Sequence, residues 1–157
     1  MIKILNSQLS DEIVTEIGKF SILWAEFEKL LGNKCYYELL LDKKNKIQIE
    51  DKILKNFNAI LQGRLEYFDE NFEVYINYNL IPDNAHRPKD KYIKLMKDFL
   101  NLDELVQADW NCGALLCIYR IRNNLLHGLK CINELDGQLE LFKSINNVLE
   151  NIKITEK

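Results

Sequence analysis

The sequence predicts an all-α fold, an up-and-down bundle of about five helices in a single domain over residues 1–157. Apolar residues recur at helical spacing in five segments, and little of the chain alternates as a strand does. The connections are short, and both prolines, Pro82 and Pro88, fall in one segment. A chain of 157 residues can bury about 68–70% of its unfolded surface, which is enough for an ordinary core.

The first predicted helix begins after Ser10 and ends at Gly32. The Ser10 hydroxyl can cap free backbone N–H groups, Asp11 and Glu12 suit the positive end of the helix dipole, and glycine is a common left-handed stop. Its apolar stripe contains Ile13, Ile17, Phe20, Leu23 or Trp24, Phe27, Leu30 and Leu31. The segment 35–41, which is apolar on all sides, is predicted as a short continuation.

Four further helices are predicted, from about Asp51 to about Tyr78, from Asp90 to about Leu100, from about Asp103 to His127 and from about Gly137 to about Lys153. The segment 81–88 reads as the main loop, and His86 within it as a surface histidine. A kink is expected near Asn101. Gly128 is well placed to end the fourth helix of the series.

The charge balance argues against a protein that holds nucleic acid by bulk charge. Lys and Arg number 21 against 24 Asp and Glu, so the formal net charge is -3 and the pI about 5.5. Contact with a polyanion would need a local positive patch. No apolar run reaches the roughly 18 residues that a membrane span requires.

The four cysteines, Cys35, Cys112, Cys117 and Cys131, form no Cys-x-x-Cys pair. Cys112 and Cys117 could join His127 as metal ligands, but their spacing matches no common zinc pattern. Buried small hydrophobes are therefore expected, and no metal or other cofactor is predicted. The start of the chain lacks the apolar core of a signal peptide, which favours a reduced, cytoplasmic protein.

The stretch RIRNNLLHG, residues 120–128, places polar side chains in the last turns of the most apolar helix. At about 100° per residue, one stripe of this helix contains Gly113, Cys117, Arg120, Asn124 and His127, with Asn123 at its margin. Small residues allow another helix to approach closely, so the polar end of the stripe is expected at a shared boundary. The neighbouring helix can belong to a second subunit or to the same chain.

Arg122 lies on a different face, about 140° from His127. A guanidinium keeps its charge, so a largely buried Arg122 needs a carboxylate, a backbone carbonyl or a phosphate as its partner. Spacing alone is also consistent with an arginine that pairs with an acid of its own chain and a histidine that caps the helix C-terminus.

The stretch resembles the signature of the HEPN superfamily, small all-α domains with Arg, a polar residue, a few variable positions and His near the end of a bundle helix. The matching residues are Arg122, Asn123, the variable segment 124–126 and His127, with Gly128 after them and Tyr119 just upstream. The chain length, the helical pattern and the position of the motif on the penultimate helix strengthen the resemblance. Arg120 also falls within the spacing that the family allows.

The resemblance implies metal-independent cleavage of RNA, commonly in bacterial toxin–antitoxin or anti-phage systems. His127 and Arg122 would be catalytic, and Asn123, Arg120 and Asn124 would contact the substrate. The family usually acts as a homodimer with a composite active site, and an antitoxin or regulatory protein is a further expected partner. The alternatives are an inactive HEPN-like module that binds RNA, nucleotide or a partner protein, and a helical assembly protein outside the family.

Overall fold

The protein is an all-α helical bundle, as predicted, in a computed structural model that describes residues 2–4, 7–65, 90–101, 107–126 and 137–155. These ranges contain six α-helices: α1 Asp11–Leu31, α2 Tyr37–Asp42, α3 Asp51–Leu65, α4 Asp90–Leu100, α5 Gln107–Leu126 and α6 Leu139–Glu150. A 3-10 turn covers Lys44–Lys46. Four short strands are β1 Ile2–Ile4, β2 Ser7–Leu9, β3 Ile47–Gln48 and β4 Lys153–Ile154.

Both predicted ends of α1 are confirmed. The Ser10 hydroxyl accepts a hydrogen bond from the Ile13 backbone N–H at 3.3 Å, and Gly32 ends the helix with a left-handed φ of 81°. The prediction that Leu30 faces the core is wrong. Its side chain is 62% exposed, because the neighbouring Leu31 occupies the core position of that turn.

The segment that follows α1 is a separate helix, which corrects the predicted continuation. The left-handed Gly32 redirects the chain, and residues 33–36 are not helical. α2 then starts at Tyr37, so the described chain holds six helices where about five were expected.

The predicted end of the last helix at Lys153 is also wrong. α6 stops at Glu150, and residues 153–154 pair antiparallel with β3, Ile47 opposite Ile154 and Gln48 opposite Lys153. The β-branched residues of the sequence Ile152–Thr155 favour an extended backbone, and the Thr155 N–H donates to the Lys46 carbonyl at 2.9 Å. A second antiparallel pair joins β1 and β2.

The core forms where α1 and α3 pack on α6 and where α4 packs on α5. The rings of Phe20 in α1 and Phe142 in α6 lie 5.7 Å apart, and the Asn146 amide donates to the Glu16 carbonyl at 3.0 Å. The fully buried large side chains are Phe20, Phe57, Phe99, Phe142, Ile13, Leu40, Ile47, Leu54 and Leu61. Cys112 and Cys117 are also fully buried, which confirms their prediction as core residues.

Helices α4 and α5 approach closely at Gly113. A methyl group on Gly113 would lie 2.5 Å from the Leu95 carbonyl oxygen and 2.8 Å from Cβ of Phe99. At the C-terminal end of α4, the amide of Asn58 in α3 donates to the Phe99 carbonyl at 2.8 Å. The contact at Gly113 thus packs α5, the helix that carries the polar stretch, on α4, and the Asn58 bond joins α4 to α3.

Several sequence predictions lie outside the described residues. They are the second half of the predicted helix 51–78, the loop 81–88, the helix start at 103–106, and both His127 and Gly128. Within the described ranges, none of the helices has the length and hydropathy needed to cross a lipid bilayer.

Candidate functional site

The last two turns of α5 carry four of the predicted site residues. Arg120, Arg122, Asn123 and Asn124 all belong to this helix, which ends at Leu126. His127, the remaining predicted catalytic residue, lies outside the described residues and directly follows Leu126 in the sequence.

The two arginines differ in burial. Arg120 is only 3% exposed, whereas Arg122 is partly exposed. The stripe through Gly113, Cys117 and Arg120 therefore packs within its own chain, which is one of the two arrangements that the sequence left open. Arg122 is the arginine that solvent or a ligand can reach.

Arg120 is buried because α2 covers it. Its Nη1 donates to the hydroxyl oxygen of Tyr37 at 3.0 Å. The side chain of the neighbouring Asn123 is 9% exposed, and together with Arg120 it opposes the rise in the Tyr37 pKa that burial causes.

Arg122 makes its own contact with Asn123. Nη1 of Arg122 donates to Oδ1 of Asn123 at 3.2 Å, and Asn123 is itself 9% exposed. A hydrogen bond to a largely buried amide restricts the rotamers that the long Arg122 side chain can adopt.

Aromatic rings hold Tyr37 in place. Its ring stacks on Tyr92 of α4 at 5.3 Å and meets the edge of Tyr119 of α5 at 5.0 Å. Tyr119 in turn stacks on Trp24 of α1 at 6.1 Å. Rings from four helices therefore converge beside the polar stretch.

Comparison with known proteins gives no further information about these residues. No protein-family model, curated protein or solved structure matches the chain. What the residues can do is therefore inferred from their chemistry and placement.

The charge of Arg122 also acts on the thiol of Cys35. The backbone N–H of Cys35 donates to Oε2 of Glu28. Burial, and then the Glu28 carboxylate, raise the pKa of the Cys35 thiol to about 12, while the positive charge of Arg122 opposes this rise. Cys35 is therefore a neutral thiol at physiological pH and is not a nucleophile for this site.

Tyr37 is also kept neutral. Burial raises its pKa above the ordinary value, and the charge and hydrogen bond of Arg120 act in the opposite direction. A neutral phenol can accept from Arg120 and still carries its own O–H proton.

Alkaline pH is expected to destabilise the fold. Burial raises the pKa of both Cys35 and Cys112 to about 12 and raises that of Cys117 as well. Above about pH 9 the unfolded chain loses thiol protons that the folded chain retains, so the free energy of unfolding falls until the folded pKa is reached. Each such thiol contributes a slope of about 1.4 kcal/mol per pH unit.

Urea unfolding at pH 8, 9 and 10 measures this effect. The free energy of unfolding should be constant up to about pH 9 and should then decline. Cys117→Ala removes one buried thiol, so the decline should be less steep by about 1.4 kcal/mol per pH unit. A free energy of unfolding that stays constant from pH 8 to pH 10 contradicts the expectation.

The described residues offer no other site of comparable chemistry. Among them, no group of three or more His, Cys, Asp or Glu side chains is placed to hold a metal ion. Two surface depressions, of about 340 and 180 Å³, are lined by residues of α1 with Lys143 and by residues near β4 with Lys43 and Lys46. Arg122 lines neither.

Proposed function

We propose that this protein is a metal-independent endoribonuclease of the HEPN type. One observation carries the proposal. Arg122, the arginine of the motif, is accessible and oriented by Asn123, while Arg120 is buried and hydrogen-bonded to Tyr37. His127 follows one residue after α5 ends, and four residues separate it from Arg122. An oriented guanidinium and a histidine five positions further along the sequence are side chains suited to phosphodiester chemistry.

In the proposed reaction, His127 accepts the proton of a ribose 2′-hydroxyl. The 2′-oxygen attacks the adjacent phosphorus, the bond from phosphorus to the 5′-oxygen breaks, and a 2′,3′-cyclic phosphate forms. The departing 5′-oxygen takes up a proton from water and leaves as a 5′-hydroxyl. Arg122 neutralises the charge that develops on the non-bridging phosphoryl oxygens. Imidazole suits the role of base because its unperturbed pKa is near 6.5.

The charges around Arg122 favour this role over a structural one. Within the residues that the structure describes, the Arg122 side chain makes no ion pair and its hydrogen-bond partner is the neutral Asn123. An arginine that served only to neutralise an acid of its own chain would have that acid as its contact. The guanidinium therefore retains donors for an anionic ligand.

The proposal includes a homodimer with one cleft shared by two copies. Arg120 is covered by its own α2, so a second copy would meet the C-terminal end of α5 beyond Arg120, near Asn124 and His127. Two Arg122 side chains in one cleft would give a local positive site on a chain of net charge -3. Growth control or anti-phage defence, with an antitoxin or regulatory protein as partner, is the proposed setting.

Replacing Arg122 by alanine tests the proposal directly. Purified protein is expected to cut single-stranded RNA with EDTA present and to leave 2′,3′-cyclic phosphate ends. Arg122→Ala should lower kcat by about 10²–10³-fold, because it removes charge stabilisation in the transition state. Arg122→Lys should retain part of the activity, since it keeps the charge and loses the forked donor geometry.

Lys143→Ala is the control, since Lys143 is exposed on α6 and does not belong to the motif. It should cut at the wild-type rate. Tight RNA binding without cleavage by the wild type would select the inactive binding module instead, and cleavage that EDTA abolishes would point to a metal enzyme.

A further inference from the structure

Three lysines follow α2 closely, and the structure gives them different surroundings. The ammonium of Lys44 pairs with the Asp109 carboxylate of α5 at 2.5 Å. Lys43 and Lys46 instead line the surface depression of about 180 Å³ near β4. Among the described residues, no carboxylate lies within ion-pair distance of either of these two ammonium groups. A chain of net charge -3 therefore carries two uncompensated positive charges at one depression.

The 3-10 turn explains why the lysines divide in this way. The Lys46 backbone N–H donates to the Lys43 carbonyl at 2.9 Å, which is the i to i+3 bond of a 3-10 turn. Side chains three positions apart eclipse one another in such a turn, so Lys43 and Lys46 project to the same side. Lys44 projects about 120° away from Lys43, and its partner is Asp109.

The backbone that carries the two lysines is held by its neighbours. The Lys43 N–H donates to the Leu39 carbonyl of α2 at 2.9 Å. The Lys46 carbonyl accepts from the N–H of Thr155 at 2.9 Å and from its hydroxyl at 3.3 Å. Both lysine side chains are also partly buried, which limits the positions of their ammonium groups. The two charges are therefore placed together before any ligand arrives.

The rest of the depression is mostly apolar. It is lined by Leu30 and Leu31 of α1 and by Ile154 of β4, with Thr155 beside them. Leu30 is 62% exposed, although it belongs to the apolar stripe of α1. Apolar walls with a few polar groups are typical of sites for organic ligands. The lining therefore favours an organic molecule that carries an anionic group over an inorganic ion.

We infer that this depression binds a phosphate of single-stranded RNA, with Lys43 and Lys46 on the phosphate oxygens and Leu30 against the attached ribose or base. This inference rests on the proposed function. Two ammonium groups on one side of a turn repel each other, and an anion between them removes that repulsion. Phosphate oxygens accept charge-assisted hydrogen bonds from lysine.

The depression lies one short helix away from the arginines of α5. α2 begins at Tyr37, whose hydroxyl accepts from Arg120, and ends at Asp42, directly before Lys43. Its six residues span about 9 Å, a distance that a few nucleotides of one strand can cover. This proximity favours RNA over an acidic peptide as the occupant. The depression is a second contact on the strand whose cleaved phosphate meets Arg122, and it adds affinity without touching the reacting atoms.

Lys43→Gln combined with Lys46→Gln tests the inference. Binding is measured by fluorescence anisotropy with a labelled 2′-O-methyl RNA, which has no free 2′-hydroxyl and is not cut by the proposed reaction. The double variant should bind about tenfold more weakly, the size of a lost charge-assisted hydrogen bond. The slope of log Kd against log salt concentration should fall by about 0.7, the value for one phosphate contact on a single strand.

Lys44→Gln combined with Lys143→Gln is the matched control, because it removes the same charge outside this depression. Its Kd and its salt slope should match those of the wild type. If both double variants lose the same affinity, the RNA responds to the overall charge of the protein and the inference is overturned.

Leu30→Glu is an independent test that keeps the lysines. It adds a carboxylate next to the phosphate, and the exposed position should leave the fold intact. RNA affinity should fall by about tenfold or more, because like charges repel at short range. The control is Ile22→Glu, since Ile22 is 67% exposed on the same helix and lines no part of the depression. It lies about 12 Å from Leu30 along the helix, beyond the screening length of about 10 Å at 0.1 M salt. Equal affinities of these two variants overturn the inference.

Competition and cleavage assays complete the test. Polyglutamate that displaces the labelled RNA as readily as unlabelled RNA does would assign the depression to an acidic peptide and overturn the inference. A wild type without measurable affinity for the RNA does the same. In cleavage assays the double variant of Lys43 and Lys46 should raise KM and leave kcat unchanged. A wild type that binds RNA through these lysines and cuts none counts against the proposed function alone.

Discussion

RNA cleavage should fall by about 10²–10⁴-fold when His127 is replaced by alanine, while the fold stays intact. This fall in rate is the one expected when an enzyme loses the general base that takes the proton of the attacking hydroxyl. Initial rates on a single-stranded RNA, measured with EDTA present, give the ratio. The far-ultraviolet circular dichroism and the thermal midpoint should match the wild type.

The chain offers a matched control for this change. His86 is the other of its two histidines and belongs to the predicted loop rather than to the motif. His86→Ala is expected to keep full activity. If His127→Ala cuts as fast as wild type, or if His86→Ala alone loses activity, His127 is not the base.

The His127 variant also tests the shared cleft. In a mixture of His127→Ala and Arg122→Ala proteins, mixed dimers would retain one histidine and one arginine in the cleft. Partial recovery of cleavage on mixing, from two variants that are each inactive, is expected for a composite site. A mixture as inactive as its components argues for two independent sites or for a monomer.

Gly113→Ala should be the most destabilising single change among those considered. The added methyl group would lie 2.5 Å from a backbone oxygen of α4, and a helix backbone cannot move aside as a flexible side chain can. Overpacking of this kind costs about 1–3 kcal/mol and occasionally more, and the backbone contact places Gly113 at the upper end. Urea unfolding measures the loss as a lower midpoint at an unchanged slope.

Gly18→Ala, the same substitution at another glycine, is expected to change the stability in the opposite direction. Gly18 is exposed within α1, and a methyl group there would meet nothing within 4 Å. Alanine in a helix interior is favoured over glycine by roughly 0.5–1 kcal/mol, so this variant should be more stable than wild type. If both variants change stability equally, the close approach at Gly113 is not what limits substitution there.

The parts of the fold that could be predicted from the sequence depend on local interactions. Ser10 and Gly32 define the ends of α1 through hydrogen bonds and backbone conformation within one helical turn, and both were predicted. The end of α6 was misplaced because Ile152 continues the helical spacing of Val148 and Leu149. Ile154 pairs with Ile47, which lies in a distant part of the chain, so the strand could not be inferred from the segment alone.

At the site, too, contacts with distant parts of the chain could not be predicted from the sequence. The motif at Arg122 and Asn123 can be read along one helix, but the burial of Arg120 depends on Tyr37, which is 83 residues away. The segment around Tyr37 was recognised only as apolar. A helical wheel gives the angle between two side chains and cannot say which face a distant helix will cover. The sequence therefore left open whether the stripe of Arg120 meets a second subunit or a helix of its own chain.

The packing of α1 on α6 has a consequence for the protein during its synthesis. Phe20 and its neighbours in α1 emerge from the ribosome long before Phe142, the side chain that covers them. At a synthesis rate of about 5–20 residues per second, the apolar face of α1 stays uncovered by α6 for several seconds. The helix with the polar stretch is also made before α6, so the bundle around it closes only after the last helix has left the ribosome.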